Sequence, residues 1–274
     1  MPPSSTQAGM AAYRHGFSWR VLAALALGAL IGLAAALPYE ASSLGPLATR
    51  LGRPMWVLLA ATTVQTLVLA TAAAGVGLWL GPAVGLGAPL VHAWLAGDPA
   101  AGRQLRRSLL GALLAGALVG VAIFGLDLAI FVPALPQEIR AAGMVQPPWW
   151  QGLLAALYGG IVEELLLRLG LMTLLVSAGA MLTRARPPAA PVYWAANLVA
   201  ALAFGGLHLP ATAAVIPLTP LIVVRALALN GPAGLVFGWL YWRRGLIAAM
   251  AAHFAADVVL HVVPQALVGA FPGR

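Results

Sequence analysis

Trp150–Leu182 reads WQGLLAALYGGIVEELLLRLGLMTLLVSAGAML, an apolar run broken at its middle by Glu163, Glu164 and Arg168. About twenty apolar residues cross the hydrocarbon core of a bilayer, so the run is long enough to span one. Its three charged side chains together oppose insertion by about 7–10 kcal/mol, at about 2.5–3.5 kcal/mol each. A run that keeps them nonetheless reads as an interior helix of a membrane bundle, and its charges as site candidates.

Six further runs lie outward from this one: Trp19–Leu37, Met55–Leu80, Leu109–Val132, Val192–Leu207, Val223–Trp242 and Leu246–Val263. The expected fold is an all-α polytopic transmembrane bundle of about seven spans. An eighth would require His208–Ile222 to span, and Pro210, Pro217 and Pro220 there favour a loop or broken helix, since each proline removes a backbone donor.

Composition excludes a water-soluble domain: 62% of the 274 residues are hydrophobic and 8% charged, against roughly a quarter charged in soluble domains. The expected organisation is a polar leader at 1–18, membrane helices over 19–149 with a juxtamembrane amphipathic segment at 81–107, a core at 150–263 and a tail at 264–274. The first run resembles a secretory signal but is too long for a typical apolar signal core, so it is expected to stay as the first span.

The formal charge is +8, and all 15 basic residues are arginine. Most sit singly or in pairs near the ends of apolar runs, where headgroups and the positive-inside rule account for them, so membrane lipid is an expected partner and nucleic acid is not. Without cysteine there is neither a disulfide nor a thiolate ligand or nucleophile. With the N-terminus cytoplasmic, Arg103/Arg106/Arg107, Arg184/Arg186 and Arg243/Arg244 all fall inside, while Arg50 and Arg53 fall outside. The expected location is a bacterial plasma membrane.

Of the seven acids, Glu40, Asp98 and Glu138 lie between runs, where solvation explains them. Glu164 and Arg168 are four apart and can pair on a helix, which leaves Glu163, about 100° away in azimuth, without that partner. In Phe204-Gly-Gly-Leu-His208 an aromatic ring and an imidazole lie one turn apart, with two glycines that admit a neighbouring backbone. His253, Asp257 and His261 follow in steps of four along one side of the last run. Asp127 and His92 have no partner at an informative spacing and read as structural.

This succession of E-E-x-x-x-R, F-x-x-x-H and H-x-x-x-D, with 45 residues from Glu163 to His208 and again from His208 to His253, resembles the CAAX protease and bacteriocin-processing family of intramembrane proteases. The resemblance covers roughly Trp150 to Val263, including Gly234-Leu-Val-Phe-Gly-Trp-Leu-Tyr-Trp-Arg-Arg-Gly-Leu before the last motif. Two features depart from it: Asp257 stands where the family commonly has asparagine, and the loop after His208 is rich in proline.

The resemblance implies an endopeptidase acting on a peptide or protein substrate. Glu163 would be the general base, His208 would position or deprotonate the water, Glu164 and Arg168 would hold the helix, and His253 and Asp257 would stabilise the transition state. Asp257 cannot donate while ionised, so it is expected to orient His253. Metal dependence stays open, because Glu163, His208, His253 and Asp257 also make an N/O donor set for zinc with a position left for water. The H-E-x-x-H, G-x-G-D and G-x-S-x-G marks of other protease chemistries are absent. Two other classes fit the same charges: a proton-coupled transporter, for which no inverted repeat is found, and a non-catalytic membrane partner or immunity protein.

Overall fold

The computed structural model describes residues 17–144 and 147–265, and these carry helices and no strand. The leader therefore lies almost wholly outside the described residues, as does most of the tail. Among the described residues, seven helical stretches are long and apolar enough to cross a membrane: Trp19–Gly45, Met55–Val84, Pro99–Ala134, Trp149–Thr183, Ala190–Val215, Pro220–Arg244 and Leu246–Gln265. His208–Ile222 adds no eighth span; it holds only the short helix Leu209–Val215 and the start of the next long one.

The first helix, α1 (Trp19–Leu51), starts at Ser18, whose Oγ accepts from Val21 N, and stops at Gly52, which takes the left-handed conformation at φ 59°. It runs on through Pro38 well past the apolar run, and so carries Tyr39 and Glu40 on helix rather than in a loop. The second, α2 (Met55–Leu80), leads into a 3-10 turn, Gly81–Val84.

The segment expected to lie as an amphipathic piece at 81–107 is instead divided. Val84, Leu86, Gly87 and Ala88 are buried, with Gly87 N–H donating to Tyr241 Oη at 2.9 Å and Tyr193 Oη donating to Val84 O at 2.6 Å. Arg103, Arg106 and Arg107 belong to the opening turns of α3 (Pro99–Leu126), which Asp98 caps through Ala100 N at 2.8 Å. A backbone amide and a backbone carbonyl tied to buried tyrosines hold the first part inside the bundle, and the cap starts the helix that carries the arginines.

The fourth span is not one regular α-helix. It begins as α4 (Trp149–Tyr158), widens into π-helical turns at Gly159–Glu163 and Leu165–Met172, and ends as α5 (Thr173–Thr183). Wide turns of this kind are rare and recur at functional sites. The span is also the central one: 56% of its apolar window is buried, against 22–39% in the others.

Three helices complete the bundle: α6 (Ala190–Leu207), α7 (Pro220–Arg244) and α8 (Leu246–His261). Small residues set the contacts, as expected where lipid removes the hydrophobic drive between helices. Gly116 and Gly120 of α3 bring that helix onto the backbone of Ala252 and Ala256 in α8. Gly234 of α7 fits against Ala201 of α6, and Asn197 Nδ2 donates to Leu235 O at 2.9 Å across the same pair. Leu27, Ile31, Val64, Val68 and Leu118 face outward, as a lipid-facing surface requires.

Candidate active site

The two glycines at the first π-turn locate the site. Gly160 lies so close to α8 that an added methyl would come 2.9 Å from Met250 O. One at Gly159 would come 3.2 Å from His253 Nε2 and would overlap Asp257 Oδ2. The absence of side chains there lets the fourth and seventh spans touch at the level of Glu163, Glu164, His253 and Asp257.

Glu164 is fully buried and serves two partners through one oxygen. Its Oε1 is 2.9 Å from Arg168 Nη1 and 2.8 Å from His253 Nδ1. The pairing expected from the four-residue spacing is thus present, although the Arg168 contact is an ion pair by distance without hydrogen-bond alignment. Arg168, also fully buried, donates from Nη2 to Gly234 O at 3.1 Å. Its guanidinium lies 5.0 Å from the ring centre of Phe204 and 5.4 Å from that of Phe237. Two aromatic faces, a carbonyl and a carboxylate compensate the buried cation.

A carboxylate paired with arginine only accepts, so His253 donates to Glu164 from Nδ1 and turns Nε2 the other way. Nε2 lies 3.6 Å from Glu163 Oε2 and 3.6 Å from Asp257 Oδ2, beyond direct hydrogen-bond distance from either. Phe237 stacks on the imidazole at 4.6 Å and Phe204 meets it edge-on at 5.3 Å, fixing the ring plane. The expectation that Asp257 orients His253 is therefore corrected: Glu164, at 2.8 Å from Nδ1, is the carboxylate within hydrogen-bond distance of the ring.

Exposure separates the carboxylates. Glu163 and Asp257 keep 21% and 17% of their side-chain surface, while Glu164 and Arg168 keep none. Only the first two can meet a reactant.

His208 caps α6, with Nδ1 2.8 Å from Phe204 O and its ring edge-on to Phe204 at 4.9 Å. It makes no hydrogen bond to Glu163, but it is an electrostatic neighbour of Asp257 and His261. The four-residue zinc set does not assemble: among the described residues, no three His, Asp or Glu side chains are disposed to hold an ion. His253 commits Nδ1 to Glu164 and keeps Nε2 toward Glu163 and Asp257, while His208 commits Nδ1 to its own helix.

The partners of other polar residues escaped the sequence reading. Asp127 opens a π-turn, Asp127–Phe131, and pairs with Arg225 of α7 through two bonds of 2.7 and 2.6 Å. No local spacing announces a pair 98 residues apart. Glu40 and Tyr158 are electrostatic neighbours of Glu163, which puts the first span beside the site. A helix that continues through Pro38 gives no warning of this in sequence.

Residues 145–259 match the family model described as Type II CAAX prenyl endopeptidase Rce1-like. The match takes in Glu163, Glu164, Arg168, His208, His253 and Asp257, and agrees with the resemblance drawn from the motifs. No curated protein and no solved structure matches the chain.

Proposed function

We propose that this chain is an intramembrane endopeptidase of the CAAX prenyl protease type, in which Glu163 activates the hydrolytic water. The observation that carries the reading is the meeting of two accessible carboxylates, Glu163 and Asp257, each 3.6 Å from a histidine nitrogen whose ring is held by Glu164.

Glu163, accessible and free of an arginine partner, takes a proton from water as the oxygen attacks the carbonyl carbon. His208, an electrostatic neighbour of Asp257, positions that water. His253, as the imidazolium, directs Nε2–H at the developing oxyanion, with the charges of Glu163, Glu164 and Asp257 around it. Glu164 and Arg168 touch no reactant and act by holding His253.

The substrate is a peptide or protein segment that reaches the site within lipid, and the N-terminus of the enzyme lies in the cytoplasm of a bacterium. The test is proteolysis of a peptide library by purified, detergent-solubilised protein. Cleavage by the wild type that disappears in Glu163→Ala supports the reading. Equal product from both, or none from the wild type, refutes it.

A further inference from the structure

Alternation of the seven spans puts Arg184, Arg186, Arg243 and Arg244 at the same end of the bundle as the arginines that open α3. Of the seven acids only Asp98 lies at that end, where it caps α3. The arginines that form ion pairs among the described residues, Arg168 and Arg225, are elsewhere. One cation of the unpaired set is nevertheless held in place. The Arg243 guanidinium lies 5.4 Å from the centre of the Trp242 ring. Trp242 stacks on Tyr193 of α6, with centroids 4.5 Å apart and planes 4° apart. Tyr193 is buried and donates to Val84 O, which fixes the base of the stack. Trp194 meets Trp242 edge-on at 6.0 Å and is itself exposed, as tryptophan at the headgroup level of a bilayer commonly is.

We propose that this platform binds the headgroup of an anionic phospholipid, with Arg243 as the phosphate ligand and Trp242, braced on Tyr193, as the residue that orients it. A guanidinium laid over an aromatic ring engages its flat face and leaves its N–H edge free, and that edge matches two phosphate oxygens. Arg243 is exposed, so the edge is open to the membrane surface. The Trp242 ring is already engaged by Tyr193 and Arg243, and is not available to the ammonium of a zwitterionic lipid. Such an ammonium would also add a cation to an end that lacks anions, whereas an anionic headgroup supplies them. Trp194, Leu198 and Leu202, four apart on α6, are all exposed, and this ridge gives an acyl chain an apolar path away from the platform. A free phosphate has no use for that ridge. The assignment does not depend on the hydrolase reading.

The test is native mass spectrometry of the full-length chain in detergent with equimolar phosphatidylglycerol and phosphatidylcholine, read as the ratio of the two in the first bound lipid. A ratio taken within one preparation is insensitive to loss of folded protein. Wild type should prefer phosphatidylglycerol, and Arg243→Gln should lower the ratio by about tenfold, the worth of a charge-assisted hydrogen bond. Arg243→Lys keeps the charge but not the planar fork, and should recover less than half of that loss. Trp242→Leu retains every charge and should lower the ratio about threefold, as loss of an exposed cation–π contact does. Arg106→Gln removes an equal charge from the same end and should change the ratio by about twofold or less, as for an exposed charge. Equal binding of the two lipids, a wild-type ratio in Arg243→Lys or Trp242→Leu, or a loss in Arg106→Gln as large as that in Arg243→Gln overturns the site and leaves a diffuse basic surface. Loss of the preference on adding millimolar inorganic phosphate overturns the lipid as occupant in favour of a free anion.

Discussion

Glu164 Oε1 lies 2.8 Å from His253 Nδ1 and 2.9 Å from Arg168 Nη1, so one buried carboxylate oxygen joins an arginine of its own span to a histidine 89 residues away. Helix stability and site geometry therefore share an atom. Arg168→Ala strands Glu164 without its counter-charge and should destabilise the protein by about 3–5 kcal/mol, as for other broken buried pairs. Fluorescence-detected gel filtration and a thermal ramp in detergent measure this. Normal abundance together with normal activity would argue against the pairing.

Removing the base should act on rate alone. Glu163→Gln keeps the size of the side chain and breaks no ion pair shorter than 3.6 Å. Cleavage should fall by about 10²–10⁴-fold, the usual contribution of a general base, with the melting temperature within a degree or so of wild type. A mutant that cleaves at half the wild-type rate would exclude Glu163 as the base.

Asp257→Asn separates orientation from ligation. Since Glu164 anchors His253, the asparagine, common at this position in the family the chain resembles, should leave activity within about tenfold of wild type, no more than a lost hydrogen bond. Zinc content, measured by mass spectrometry on the same preparations, should be substoichiometric in both. Stoichiometric zinc in the wild type that vanishes with activity in the mutant would contradict the present donor geometry.

Close approach at Gly159 gives a third handle on the site. A methyl there would come 3.2 Å from His253 Nε2 and overlap Asp257 Oδ2, so Gly159→Ala must push the fourth and seventh spans apart. Overpacking of this kind costs about 1–3 kcal/mol, and catalysis should suffer more than stability because the displaced groups are the reacting ones. Activity comparable to wild type would mean that the spans do not touch there.

Seven alternating spans place Arg103–Arg107, Arg184/Arg186 and Arg243/Arg244 at one end of the bundle, and the positive-inside rule predicts that this end is cytoplasmic. Reporter fusions after Arg186 and after Arg244 should both report the cytoplasm. Opposite sides for the two would break the seven-span order.

The number of spans, their approximate limits and the intramembrane position of Glu163, Glu164, Arg168, His208, His253 and Asp257 were all legible in the sequence. Hydropathy is a local sum over about twenty residues, and the penalty for a charge in lipid belongs to that residue alone. The Glu164–Arg168 pair was legible for the same reason, being set by four residues of one helix.

Tertiary structure decided the rest. Which carboxylate holds His253, the partnering of Asp127 with Arg225, and the arrival of Tyr39 beside His261 all depend on contacts between different spans. Helical spacing constrains azimuth within one helix and says nothing about how two helices are rotated against each other. That rotation is set by where glycines such as Gly116, Gly159 and Gly160 let backbones touch, and by π-turns that shift every following side chain in the fourth span.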